Sequence, residues 1–87
     1  MAVVWIPALL RDLTGGQETV RAPGDTVRQV IDALEAQYPG VKARLVDGDR
    51  LRLGITVVVD GEVSAQRLRA RLKADSEVHF LPALSGG

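Results

Sequence analysis

The 87-residue chain contains no cysteine. This excludes a disulfide framework, a thiolate metal site and an internal persulfide or thioester. Any sulfur handled by the protein would have to sit on another group. His79 is the single histidine, so neither a histidine-rich metal site nor a Cys–His dyad can be assembled. An excess of charge of one sign is also missing, because eleven Lys and Arg balance eleven Asp and Glu. No basic field is available to hold a nucleic-acid backbone or an anionic membrane surface. No apolar run approaches the length of a transmembrane helix. No basic N-terminal region precedes a long apolar stretch, as a signal peptide requires. The expected setting is therefore cytoplasmic, with neither nucleic acid nor membrane as a partner, and the free protein is expected to be a monomer.

What is present reads as a small folded domain. Hydrophobic residues make up 46% of the chain and charged residues 25%, the balance of a globular sequence. A chain of this size buries roughly 60–65% of its extended surface. Val3-Val4-Trp5-Ile6 is a β-rich run closed by Pro7, which predicts a first strand over about residues 2–7. Gly15-Gly16 punctuates a turn, and Glu18 to Ala22 alternates polar and apolar as a second strand does. The two strands read as a hairpin. Thr26 is placed to cap a helix, with Gln29 three residues on as in a capping box. Val27, Val30, Ile31, Leu34 and Tyr38 then mark one helical face. Arg28 and Asp32 lie off that face at i,i+4 spacing, which predicts an ion pair, and Pro39-Gly40 stops the helix. Val41 to Leu45 reads as a further turn of helix and Asp47-Gly48-Asp49 as a loop.

Ile55 to Val59 is the strongest strand signal, and Asp60-Gly61 after it is a favoured type I′ turn pair. Glu62 and Val63 begin a short return strand. Ala65 to Lys73, with Leu68 and Leu72 among arginines, reads as a surface-packed turn or short helix, and Glu77 to Leu81 forms a last strand closed by Pro82. One helix lying face-down on a mixed sheet of four to five strands is an α+β architecture. The element order is that of a β-grasp over residues 1–82, followed by a flexible tail at 83–87. The expected core is Val4, Ile6, Val20, Val27, Val30, Ile31, Leu34, Ile55, Val57, Val59, Val78 and Phe80, from helix stripe and strand alternation.

The sequence ends Leu84-Ser85-Gly86-Gly87. Glycine has no Cβ, so such a tail can enter a narrow channel in another protein and present its α-carboxylate there. Several segments together carry a resemblance: Gly24-Asp25-Thr26, Leu34-Glu35, Tyr38-Pro39-Gly40, Arg44-Leu45, Val58-Val59-Asp60-Gly61, and Glu77 through Gly87. In this order they resemble the ThiS/MoaD family of ubiquitin-like sulfur carrier proteins, with Ser85 standing where the family often has alanine. Ile6 to Arg11, Thr14 to Gln17 and Leu34 to Tyr38 are most similar to the branch that delivers sulfide in cysteine biosynthesis.

The resemblance implies a co-substrate and not an enzyme. An E1-like adenylating enzyme would use ATP on the carboxylate of Gly87, and a sulfur donor would convert it to a thiocarboxylate. A sulfur-accepting synthase would then take the sulfur, for cysteine first, with molybdopterin, thiamine or tRNA thiolation as the other routes. Gly86, Ser85 and Leu84 would give the tail its access, and no cofactor would be bound by the chain itself. A ubiquitin-like modifier joined through Gly87 to lysines is the alternative, as is an interaction module whose glycines are incidental.

Other candidates read as structure. His79 has no second histidine or cysteine to work with and reads as a residue of the sheet's outer face. Gly15-Gly16 lacks the lysine of a phosphate loop, and Asp47, Asp49 and Asp60 lack calcium-loop spacing. Arg67, Arg69 and Arg71 form a basic run, a solvated face or a dock for an acidic partner. If Val4 and Ile6 point inward, Trp5 points outward. A β-grasp then places His79 and Leu81 beside it with Val58 nearby, a face expected, with Pro82 at the strand end, to dock partner enzymes.

Overall fold

Residues 1–82 are described by the computed structural model of the protein. Strand β1 (Ala2–Trp5) is shorter than its apolar run. Ile6 still donates its N–H to the Glu18 carbonyl at 2.8 Å, but Pro7 has no N–H to continue a ladder. The chain turns instead into a short 3₁₀ segment at Ala8–Leu10 that buries Leu10. It returns through Gly15 and Gly16, at φ 66 and 84°, into β2 (Thr19–Ala22), which pairs antiparallel with β1.

Helix α1 (Val27–Gln37) starts at Thr26, whose Oγ1 accepts the Gln29 N–H at 3.2 Å. Gln29 reciprocates one residue earlier than in a standard capping box, accepting the Asp25 N–H at 2.7 Å. Val27, Val30, Ile31 and Leu34 are fully buried. Tyr38 is the C-cap, its N–H bonded to the Leu34 carbonyl. The Glu35 carboxylate accepts the N–H groups of Gly40 and Lys42 at 3.1 and 2.9 Å, seating the start of α2 (Val41–Leu45). The Arg28–Asp32 pair does not form. Arg28 reaches Asp49 at 3.3 Å and Asp32 meets Lys42 at 2.7 Å, because each exposed side chain finds an opposite charge on a neighbouring segment.

The segment read as a loop around Gly48 is a small hairpin of its own, β3 (Val46–Asp47) and β4 (Arg50–Leu51). Strand β5 (Ile55–Val59) leads through Asp60 and Gly61 at φ 50 and 86° into β6 (Glu62–Val63), positive at both positions as a type I′ turn requires. A 3₁₀ turn at Arg67–Arg69 buries Leu68, and β7 (Glu77–Pro82) closes the sheet.

The sheet order is β2-β1-β7-β5-β6. The last strand runs parallel to β1 and antiparallel to β5, so it lies in the middle with a hydrogen-bonded neighbour on each side. This is the ubiquitin-like β-grasp, a mixed five-stranded sheet with one main helix. Val4, Val20, Val57, Val78 and Phe80 from the sheet and the α1 stripe share one cluster. Leu10, Val41, Leu45, Leu51 and Leu68 belong to the same cluster and were absent from the expected core. Ile55 and Val59, expected inside, are half-buried against it. They end a strand beside a two-residue edge strand, where little covers them.

Candidate functional site

Strand alternation decides which side chains leave the core. Val4 and Val78 are buried partners across the β1–β7 ladder, so the next pair, Trp5 and His79, points to the opposite face. His79 also faces Val58 across β5, and Val58 faces Val63 on β6. Trp5, His79, Val58 and Val63 therefore form one row across the outer face, with Leu81 two residues beyond His79. The indole of Trp5 stacks on the His79 imidazole, with centroids 5.2 Å apart and planes 8° from parallel. Its Nε1–H donates to Glu77 Oε1 at 3.1 Å. Trp5 remains 39% exposed and Leu81 47%. His79 Nδ1 is buried without a hydrogen-bond partner among the described residues.

A groove of about 280 Å³ opens between this row and the segment after β1, lined by Trp5, Pro7, Ala8, Arg11, His79 and Leu81 among others. Arg11 donates Nε–H to the Ile6 carbonyl at 3.2 Å. Pro7, Ala8 and Arg11 were not singled out from sequence. The signal for them is topological: β1 and β7 are parallel, so whatever follows β1 lies beside the C-terminal end of β7. That segment is fastened from below. Arg44 grips both oxygens of Asp12 at 2.8 and 3.2 Å and bonds the Leu9 carbonyl at 2.7 Å. The Arg44 hydrogen bond holds the Asp12 carboxyl below its usual pKa.

The other end of β7 is set by Asp60. Its Oδ1 accepts the Glu77 N–H at 2.8 Å and its Oδ2 the Ser76 hydroxyl at 2.9 Å. These bonds, the backbone one foremost, lower its pKa from the ordinary 3.8. Pro82 ends β7 opposite Ile55. The tail candidates Leu84, Ser85, Gly86 and Gly87, and the expectation of a flexible segment at 83–87, lie outside the described residues. Among the described residues no three His, Cys, Asp or Glu side chains are placed to hold a metal ion. No helix among them is long and apolar enough to cross a membrane.

Comparison with known proteins agrees with this geometry. The chain is 43% identical to the sulfur carrier protein CysO of Mycobacterium tuberculosis, covering 97% of this chain and 96% of that one. The structure of the Amycolatopsis orientalis BexX/CysO complex contains a chain of 40% identity that superposes with a TM-score of 0.90, covering 100% of both. Small archaeal modifier protein 1 (SAMP1) of Haloferax volcanii shares 31% identity with a TM-score of 0.75, over 99% of this chain and 98% of that one. The model of the ThiS family matches residues 4–87, and the chain belongs to that family.

Proposed function

We propose that this protein is a sulfur carrier serving a cysteine-forming route, with Gly87 as the loading point. The observation that carries the reading is near-full-length similarity to sulfur carriers in a chain without a thiol. With no cysteine to form a persulfide, a carboxylate is the group left to bear sulfur. A carboxylate is a poor electrophile. The Gly87 carboxylate attacks the α-phosphate of ATP in an E1-like enzyme, pyrophosphate leaves, and the acyl-adenylate forms. A sulfur donor attacks the acyl carbon and AMP departs, leaving a thiocarboxylate for a sulfur-accepting synthase. The bases and oxyanion donors for these steps belong to the partners, which makes the chain a co-substrate. Trp5, Val58, His79 and Leu81 form the face on which those enzymes dock, with Pro82 ending the strand beside it, because a half-exposed indole beside Leu81 offers an apolar anchor next to the strand that leads into the tail.

Intact mass after incubation with ATP, the activating enzyme and sulfide tests the proposal. The expected change is one sulfur-for-oxygen exchange, lost when Gly87 is deleted. Normal loading of the Gly87 deletion would refute the assignment. The likeness to SAMP1 favours conjugation to lysines as the second reading, and larger covalent adducts in the same experiment would mark it.

A further inference from the structure

The arginines that run together in sequence separate in space, and a different set assembles. Arg71 bridges to Thr26 at the start of α1 and lines a mixed-charge depression with Asp60, Glu62 and Lys73. Arg67 and Arg69 turn the other way. With Arg50 of β4 they line a second depression of about 180 Å³. All three side chains belong to exposed residues. Among the described residues the ion pairs are Arg28–Asp49, Lys42–Asp32 and Arg44–Asp12, and none involves these three. The one acid in the depression, Asp49, is already met by Arg28. Three arginines thus line one small surface, and among the described residues none of them has a carboxylate partner.

Arg67 adds an independent observation. Its φ is 52°, the left-handed region that costs an L-residue free energy and suits glycine. The turn holds it there through Ala70 N–H to the Arg67 carbonyl and Arg69 N–H to the Gln66 carbonyl, both at 3.0 Å. Among the described residues its exposed side chain makes no ion pair. An unfavourable backbone setting at an exposed arginine points to use of that arginine from outside.

Position links the patch to the carrier chemistry. Arg67 also lines the adjoining depression over Ile55, Thr56 and Val57, and Ile55 is the residue paired with Pro82, after which residues 83–87 follow. We propose that Arg50, Arg67 and Arg69 dock an acidic segment of the activating enzyme, the first protein that must take up those residues. This rests on the carrier reading above. Guanidinium forks match carboxylates bidentately. A nucleic acid fits poorly, since its phosphate backbone needs an extended basic field and this chain has a formal net charge of zero.

The test is steady-state thiocarboxylation, followed by intact mass, as carrier concentration is varied at low and high salt. Combined Arg50→Glu, Arg67→Glu and Arg69→Glu should raise KM on the order of tenfold at low salt. It should leave kcat unchanged and remove most of the salt dependence of KM. Arg67→Gly should leave Tm unchanged or higher, because glycine takes this φ freely, and still raise KM. A purely structural arginine would instead lose stability with the change. If the triple variant fails to fold, Arg50→Gln and Arg69→Gln carry the same comparison. A hexaglutamate peptide should compete with the carrier, and a hexauridylate RNA should not. Unchanged KM and salt dependence in the variants, with wild type loaded normally, would overturn the docking assignment, as would RNA competing as well as hexaglutamate. A wild-type chain that is never loaded would sink the carrier reading and this proposal with it.

Discussion

Trp5 is held by a stacked imidazole on one side and a hydrogen bond to Glu77 on the other, yet over a third of it faces water. An indole fixed in place and left partly wet loses little conformational entropy when a partner covers it. Its fluorescence should be red-shifted and open to acrylamide in the free protein, then protected once a partner enzyme is added. A blue-shifted, inaccessible indole would remove Trp5 as an anchor. Asp60 acts through its charge in a different way. Its folded pKa lies below the ordinary 3.8, so the ionised form is favoured by folding. Its contribution is therefore present above that ordinary value and is lost as pH falls through the lower folded value. Asp60→Asn tolerates the positive φ of this turn but loses the charge. Its Tm should fall below wild type at neutral pH, with the gap closing under acid conditions below 3.8. A gap of constant size down to low pH would show that the charge is irrelevant.

Among elements, α1 supplies one wall of the core. Ile31 and Leu34 are fully buried in the cluster that also holds Val57 and Phe80. Truncating either to alanine should cost about 2–5 kcal/mol in chemical denaturation, and negligible loss at both would mean the stripe is misplaced. The entry to this helix is equally constrained. A Cβ on Gly24 would sit 2.8 Å from the backbone nitrogen of Val30, at a φ of 149°. Gly24→Ala should therefore destabilise by more than about 1 kcal/mol, measured by the same denaturation, because a backbone atom cannot swing aside as a side chain can.

At the scale of the molecule, the core and the proposed docking face occupy opposite sides of one sheet. Changes on the outer face should leave folding largely intact while altering what binds. Combined Trp5→Glu and Leu81→Glu should cost only about 1–2 kcal/mol of stability, from partial apolar burial. Under the proposed carrier role it should lower kcat/KM for activation at least tenfold, since charge would enter the apolar centre of the interface. Retained activation kinetics in a folded double variant would move the docking site elsewhere on the surface.

Sequence patterning determined the order of the main elements, the buried face of α1 and the turn at Asp60-Gly61, because each is a local property of spacing and backbone preference. It left the direction of Trp5 conditional on Val4 and Ile6 pointing inward, since Val3 to Ile6 are all apolar. The absence of cysteine, readable from composition alone, excludes a thiol of this chain as the bearer of any sulfur. Only the tertiary structure decided which distant segments meet. It brought Pro7, Ala8 and Arg11 beside Leu81, closed the core with Leu10, Leu45, Leu51 and Leu68, gave Arg28 to Asp49, and gathered Arg50 with Arg67 and Arg69 while sending Arg71 away. Such meetings depend on strand register and the closure of loops across the whole chain. A side chain's periodicity reports the face of its own element but carries no information about its neighbour on another.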